Sequence, residues 1–347
     1  MGINASAFSQ AKHGIADVLA GGHLARYTGR PMKSLLSLSA IFVLTFAARV
    51  LAADSATDPA NAGPDFAVQG EYVGDNCAAQ VIALGDGKFH IVGWKPGLPG
   101  AVAEFEKKAD VDAAREGDKV VFNNNGWKGD ITNGEIHGVN EDGKPWTLKK
   151  TERKSPTLGA KPPAGAVVLF DGTSADEWKN GKMDKDNNLI CGVLSKKEFG
   201  DATLHVEFRT PFMPAARGQG RGNSGVYVQD RYECQVLDSF GLKGENNETG
   251  GIYSKSKPKL NACFPPLNWQ TYDIEFEAAK WDAGKKSKNA VMTVRLNGIL
   301  VQDKVEVNGP TTAAGRNEGP GPGPIQLQNH GTPVVFRNIW IVEKKQP

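Results

Sequence analysis

Short stretches in which apolar and polar residues alternate recur along most of the chain after residue 66. In Leu204–Arg209, for example, Leu, Val and Phe alternate with His, Glu and Arg. Because successive side chains of a β-strand point to opposite faces, this pattern predicts strands with one packed and one solvated face. Segments with helical periodicity are scarce, and the intervening residues are rich in Gly, Asn, Asp and Pro. The pattern therefore predicts an all-β protein.

The predicted strands fall into two groups with a proline-containing segment between them. Residues 66–152 predict a smaller β-rich accessory domain, a meander of about six strands in which Val111–Arg115 is interpreted as one short helical turn. Residues 153–165 predict a stiff linker. Residues 166–347 predict a two-sheet antiparallel sandwich or jelly roll, because one face of each strand is apolar and the other is polar.

The N-terminal part of the chain has the features of a secretory signal peptide. Lys33 precedes an apolar stretch, Leu35–Phe46, and small residues follow, so that cleavage is expected after Ala52 or Ala53. The apolar stretch is short for a transmembrane helix. We therefore expect a periplasmic or secreted protein with no stable membrane span after removal of the signal.

Met32 lies directly before the basic start of this segment. Translation is expected to begin there, which makes residues 1–31 an over-extended start and residues 1–53 a part of the chain outside the fold. A cytoplasmic extension that anchors the protein is the alternative. Residues 54–65 are small, polar and proline-containing, and they predict a flexible lead into the first domain.

Charge and cysteine content narrow the class of partner. The chain has 41 Lys and Arg against 39 Asp and Glu, a net charge of +2 without a basic stripe, which argues against a nucleic-acid partner. Its 4 cysteines are too few for a disulfide framework, and the chain lacks a CxxC pair for a zinc-thiolate site. No organic cofactor and no metal ligands are expected, although a divalent cation elsewhere in a jelly roll stays open.

Two predicted strands carry polar side chains of kinds that could do chemistry. On Tyr232–Leu237, Glu233 and Gln235 share a face, and a bulge before Asp238 would bring its carboxyl to the same cleft. Two carboxyls at a suitable separation are what glycosidases use. The alternative is an ordinary solvated sheet face.

The second of these strands, Ile325–His330, has Gln326, Gln328 and His330 on one face. A row of amides and an imidazole is better suited to binding a polar ligand than to meeting bulk water. A concave outer face of a sandwich that carries such rows could bind a sugar. The sequence does not say which polar rows line that face.

A series of motifs in fixed order resembles the 3-keto-disaccharide hydrolase family, over roughly residues 165–345. The resemblance implies a concanavalin A-like jelly roll in an exported enzyme that acts on oxidised sugars, preceded here by an appended β-domain. The motifs are Leu169–Gly172 with Trp178, Gly222–Tyr227, Tyr232–Asp238, Thr249–Tyr253, Trp269–Tyr272, Leu296–Gly298, Ile325–Gly331 and Phe336–Ile339.

The chemistry implied by this resemblance begins with the carbonyl at C3, which acidifies the hydrogen at C2. A base removes that hydrogen, the enolate expels the group at C1, and water adds later. Glu233 is the candidate base, and His330 is the candidate acid or second base, with Asp238 as an acid or a hydroxyl ligand. The candidate sugar-binding residues are Arg209, Asn223, Gln235 and Gln328 for hydroxyls or the enolate oxygen, Tyr253 and Trp281 for stacking, and Arg337, which could instead pin the last strand.

Two other functions stay open. A noncatalytic carbohydrate-binding module would have an aromatic platform, with Glu233 exposed or salt-bridged. A laminarinase-type hydrolase of β-glucans would need Glu233 and Asp238 to face each other across a groove. The chain is also similar in fold to that class, but Gln235 stands where its catalytic strand has the middle Asp and Asp238 where it has the last Glu.

Overall fold

The structure, a computed structural model, describes residues 55–124, 126–140 and 142–344. The predicted signal peptide and the over-extended start, residues 1–53, lie outside these residues. Within them, no helix is both long and apolar enough to cross a membrane. The prediction of an all-β protein is confirmed: a closed barrel is followed by two packed sheets and a separate two-stranded hairpin.

The first part of the fold is an antiparallel barrel in which each strand pairs with the next and the last pairs with the first. Its inward positions carry the apolar residues of the alternating pattern, which form one buried cluster. The strands are β1 (Gly70–Val73), β2 (Ala78–Gly85), β3 (Lys88–Lys95), β4 (Glu106–Glu116), β5 (Lys119–Asn124), β6 (Trp127–Thr132), β7 (Glu135–Val139) and β8 (Pro145–Thr151).

The interpretation of Val111–Arg115 as a helical turn is wrong, because these residues belong to strand β4. Ala109, Val111 and Ala113 are buried while the residues between them are exposed, which is the period of a strand. The segment pairs with β3 along its length and with β5 at its end. Closure of the barrel therefore overrides the local helix preference of Asp-Ala-Ala-Arg.

The second part is a sandwich of a five-stranded and a seven-stranded sheet. The five-stranded sheet has the order β10 (Trp178–Lys179), β12 (Val193–Phe199), β21 (Gly323–Leu327), β14 (Ser224–Val228) and β15 (Tyr232–Val236). The seven-stranded sheet contains β11 (Leu189–Ile190), β22 (Val335–Glu343), β13 (Ala202–Arg209), β16 (Gln270–Glu277), β19 (Ala290–Leu296) and β20 (Ile299–Val307), with β9 (Val167–Phe170) paired to β22. The separate hairpin is β17 (Lys280–Asp282) and β18 (Lys285–Lys288).

The core of the sandwich lies between the two sheets. Val226, Cys234 and Leu327 of the five-stranded sheet are fully buried there, together with Val206 and Phe208 of the other sheet. The residues that alternate with them point away from the core. Each sheet consequently has an outer face with polar side chains, and these two faces lie on opposite sides of the sandwich.

The predicted linker packs along the outer face of the seven-stranded sheet. The hydroxyl of Ser155 lies 2.6 Å from the hydroxyl of Thr271, and Thr157 donates to the Asp273 carboxylate at 2.7 Å. Further along, the Ala160 carbonyl accepts the indole N–H of Trp340 at 3.2 Å. The segment therefore covers this face and is not a free spacer.

Residues 55–65, which fall in the segment predicted as a flexible lead, contain regular structure in front of the barrel. A 3-10 turn (Pro59–Asn61) and the short helix α1 (Gly63–Val68) precede β1, and Asp65 pairs with Arg115 at 3.0 Å. Phe66 packs edge-on against Phe212 of the sandwich, with the ring centroids 5.3 Å apart. The lead therefore helps to join the barrel to the sandwich.

Candidate functional site

The candidate site lies on the outer face of the five-stranded sheet, on the hairpin formed by β14 and β15. Their register pairs Tyr227 with Glu233 and Gly225 with Gln235. The turn between the strands contains Gln229 and Asp230, both in the left-handed region, with φ of 59° and 56°. Because Val226 and Cys234 face the core, their neighbours Tyr227 and Glu233 project side by side from the opposite face.

The Glu233 carboxyl is buried, with 2% of the residue exposed. Its Oε2 accepts a 2.7 Å hydrogen bond from the Tyr227 hydroxyl, which in turn accepts one from the Gln328 amide at 3.1 Å. No Lys or Arg of the described part of the chain pairs with Glu233. Burial raises the pKa of Glu233 to about 7, although the hydrogen bond from Tyr227 lowers it. A carboxyl with such a pKa can take up and release a proton near neutrality.

Tyr227 stays a phenol in this setting. Burial and the neighbouring charge of Glu233 both raise the pKa of Tyr227, and so does its hydrogen bond to that carboxylate. The phenol therefore acts as a fixed donor, and Gln328 holds its oxygen from the other side. We call Glu233, Tyr227 and Gln328 the Glu233 triplet.

A loop that contains Thr311 and Thr312 runs beside the triplet. The backbone N–H of Glu233 donates to the Thr311 hydroxyl at 3.1 Å, and the Tyr227 hydroxyl lies 3.4 Å from the Thr312 carbonyl. Tyr253, half-buried, donates its backbone N–H to the Glu233 carbonyl at 3.0 Å. Gln328, Tyr253 and Thr312 all have exposed surface, so the rim of the site meets solvent.

A second polar group lies beside the triplet on the same hairpin. The Gln235 amide donates to the side-chain oxygens of Asn223 at 3.0 Å and Gln219 at 3.2 Å. Asn223 donates in turn to the Gln219 carbonyl at 2.8 Å. Asn223 and Gln235 are buried, while Gln219 is half-buried. These two predicted binding residues therefore hold Gln219 in place, and Gln219 is the member of the group with a surface for a ligand.

The structure does not bring Asp238 to Glu233. Asp238 lies beyond the end of β15, and its Oδ2 accepts a 2.7 Å hydrogen bond from Arg221; both side chains are buried. The same guanidinium donates to the Ala83 carbonyl of the barrel at 3.1 Å. The carboxyl that was predicted to be catalytic thus belongs to an ion pair within the sandwich, whose arginine also bonds the barrel, and it forms no facing pair of carboxyls with Glu233.

Arg209 and Arg337 lie on the outer face of the seven-stranded sheet, on the other side of the sandwich. Both guanidinium groups stack on Trp269, at 5.0 and 3.9 Å from its ring centroid. Arg337 also pairs with the buried Glu207 at 2.7 Å. The strand period places Arg209 with His205 and Glu207, so neither arginine is on the site's face. Arg337 therefore pins the last strand, which was the alternative interpretation.

The face that carries the two arginines is a buried charge network. His205 is 2.6 Å from Asp273 and stacks on Trp340. Burial lowers the pKa of His205, but hydrogen bonds to Asp273 and Glu207 outweigh it and raise the pKa. Burial also raises the pKa of Glu207, and bonds from His205, Asn338 and Arg337 lower it to about 2. These bonds and the linker together occupy the polar groups of this face.

His330 and Trp281 are the remaining predicted site residues. Strand β21 ends at Leu327, so His330 lies in the loop beyond it and is exposed, without a hydrogen bond to any described residue. Trp281 is half-buried on β17. Neither contacts the Glu233 triplet through a polar atom. Within the described ranges, no three His, Cys, Asp or Glu side chains are grouped as metal ligands would be.

Tyr227 and Gly225 belong to the site, but the sequence analysis did not select them. The hairpin register would have identified Tyr227, since it fixes the residue that faces Glu233. Gly225 matters for space: a Cβ at this position would lie 2.1 Å from Glu233 Oε1. The carboxyl lies across the glycine, which is why no side chain fits there.

Gly225→Ala is therefore expected to displace the Glu233 carboxyl from Tyr227 and to lower kcat of any reaction in which Glu233 transfers a proton roughly tenfold to a hundredfold, since small misplacements are costly in catalysis. Gly200→Ala is the matched control, because a Cβ at Gly200 meets nothing within 4 Å. Steady-state kinetics with thermal unfolding of both variants would test this. Equal kcat values for the two variants would contradict it.

Comparison with known proteins places most of the sandwich in one family. The family model described as 3-keto-alpha-glucoside-1,2-lyase-like domain matches residues 165–342. Among crystal structures, a protein from Parabacteroides distasonis ATCC 8503 named "putative glycosyl hydrolase" is 34% identical over 52% of this chain and 85% of its own, with a TM-score of 0.49.

Two further proteins of that name and organism are also similar. They are 19% and 20% identical, cover 52% of this chain and 94% and 99% of their own, and have TM-scores of 0.38 and 0.37. A search of curated proteins finds no match.

Proposed function

Because the chain belongs to the 3-keto-alpha-glucoside-1,2-lyase-like domain family, we propose that it is an enzyme that cleaves the glycosidic bond of 3-keto-glucosides. Glu233 is the general base of the proposed reaction. The observation that carries this proposal is a buried carboxyl on the outer face with a pKa of about 7. That value lets the group accept a proton at neutral pH and return it.

The reaction proceeds by carbonyl-assisted elimination. Glu233 takes the proton from C2, and the electron pair forms an enolate with the C3 carbonyl. The enolate then expels the oxygen substituent at C1. This step leaves a double bond between C1 and C2, and the departing oxygen takes up a proton. Addition of water across that double bond gives the free 3-keto sugar. Charge builds up on the C3 oxygen, so donors near Glu233 assist the step.

The donors that the site offers are the Tyr227 phenol, the Gln328 amide and, at the neighbouring group, the Gln219 amide. Tyr227 and Gln328 lie within one hydrogen-bonded chain with the base. In the proposal they bind the C3 oxygen or a hydroxyl once the sugar displaces part of this chain. His330 remains the candidate acid for the leaving oxygen, since it is exposed in the loop just beyond Gln328 and an imidazole ring can donate or accept a proton.

The test is product analysis with the purified protein on a 3-keto-disaccharide and on its unoxidised parent. The expected result is release of the aglycone sugar from the keto compound alone. A substrate with deuterium at C2 is expected to react more slowly, because the C2–H bond breaks in the first step. Cleavage of the parent would instead indicate ordinary glycosidase chemistry. If neither compound were cleaved, the protein would be interpreted as a noncatalytic carbohydrate-binding module.

A further inference from the structure

The barrel encloses an apolar cavity of about 190 Å³, open at one end. Its inner part is lined by Ile91, Val111, Ile136 and Leu148, all of which are buried in the barrel core. An engineered apolar cavity of about 150 Å³ is enough to bind benzene. The space therefore accommodates one six-membered aromatic ring with a short substituent.

Aromatic rings form one wall of this cavity. Trp127 and Trp146 meet edge to face with their centroids 6.0 Å apart, and Phe122 lies 6.4 Å from Trp146. Gly138 provides the room for Trp146, since a Cβ there would lie 2.2 Å from the indole ring. Such a wall offers edges and faces against which another aromatic ring packs favourably.

Trp146 also carries a polar group without a partner. Its indole N–H is buried and has no acceptor in the described part of the chain. A buried donor without an acceptor is destabilising, so an acceptor supplied by a ligand would stabilise this arrangement. An apolar ligand alone would not supply one.

The open end of the cavity is positively charged. Lys95 at the end of β3, Lys108 on β4 and Lys144 before β8 all line it. Lys108 is paired with Glu106 at 2.5 Å. Lys95 and Lys144 are exposed and have no ion pair among the described residues. An anionic group at the mouth would therefore meet two available ammonium groups.

We propose that the barrel binds a small aromatic carboxylate, with its ring in the apolar cavity beside Trp127 and Trp146 and its carboxylate at Lys95 and Lys144. The cavity volume limits the ligand to a single ring, the aromatic wall selects that ring, and the lysines select the anion. This site is separate from Glu233 and does not rest on the reaction proposed there. It gives the appended barrel a ligand-binding function of its own.

Phenylacetate and phenylacetamide form a matched pair of probes, because they have nearly the same shape and differ in charge. Calorimetric titration of the full chain is expected to show one phenylacetate per protein and at least about threefold weaker binding of phenylacetamide, as exposed cations contribute modestly. Equal binding of the two probes would overturn the role of the anion. Absence of phenylacetate binding would overturn the site.

Two variants place the probe. Ala79→Leu fills the cavity from the inner face of β2 and is expected to weaken phenylacetate binding about tenfold or more. Lys95→Gln/Lys144→Gln is expected to weaken it roughly twofold to tenfold, whereas Lys119→Gln at the other end of the barrel should leave it unchanged. Unchanged binding in Ala79→Leu, or an equal loss in Lys119→Gln, would mean that phenylacetate binds elsewhere.

Discussion

Glu233→Gln is expected to lower kcat on a 3-keto-glucoside by about 10²–10⁴-fold, the usual contribution of a positioned general base. The substitution keeps the size of the side chain and its capacity to accept the Tyr227 hydrogen bond, so the hairpin should remain folded. A glutamine cannot take the C2 proton. Steady-state kinetics would measure the loss, and unfolding curves of the variant would establish that the fold is intact.

Glu275→Gln is the matched control, because Glu275 is an exposed carboxylate on β16, in the other sheet. Its kcat is expected to equal that of the unchanged protein. If both variants kept full turnover, Glu233 would not be the base and the assignment of the site would be wrong. If both variants lost turnover, the loss would come from removal of a negative charge anywhere on the protein and not from Glu233 in particular.

The pH profile gives an independent reading of the same residue. A base must be unprotonated, so kcat/KM is expected to rise as the pH passes through the Glu233 pKa of about 7. Tyr227 lowers that pKa through its hydrogen bond, and Tyr227→Phe should therefore move the rise to higher pH. If the pH profile of Tyr227→Phe were unchanged, or moved to lower pH, Glu233 would not be the group that takes the proton.

Alternation along the chain predicted most of the strands, since a period of two reports directly which side chains are buried, but it missed the part of β4 at Val111–Arg115. It was not sufficient to predict which outer face carries the site. His205, Glu207 and Arg209 form a polar row as regular as Glu233 and Gln235, yet the linker covers the first row. Alternation distinguishes the side chains that face the core from those that face outward. The assignment of a strand to one sheet or the other, however, depends on pairing between distant segments.

The hydrogen bonds and the pKa of the Glu233 triplet could not be predicted from the sequence for the same reason. The motif order of the family selected Glu233, and hairpin register fixes its partner Tyr227. The pKa of Glu233, however, depends on burial, to which distant segments contribute: Thr311, which contacts the Glu233 backbone, is 78 positions away along the chain. Similarly, the bulge imagined before Asp238 was chemically reasonable, but the preference of a buried carboxylate for Arg221 decided its position.

Arg221→Met is expected to destabilise the protein by about 3–5 kcal/mol, because it leaves the buried Asp238 carboxylate without its partner. The change also removes the hydrogen bond from Arg221 to Ala83 of the barrel. Urea unfolding, followed by tryptophan fluorescence and by circular dichroism, would measure the loss and show whether barrel and sandwich still unfold together.

The matched control is Lys259→Met, which breaks the exposed pair with Asp303 at 2.9 Å and is expected to leave the free energy of unfolding nearly unchanged. Asp238→Leu in the Arg221→Met background removes the unpaired buried charge and should recover part of the stability. A loss in Arg221→Met as small as that in Lys259→Met would contradict the structural role. The variant Asp238→Asn then distinguishes the two roles considered for this residue. If Asp238 serves only in the ion pair, the variant loses stability but keeps its turnover under conditions in which it is folded. If Asp238 is a catalytic acid, the variant loses turnover while its fold stays intact.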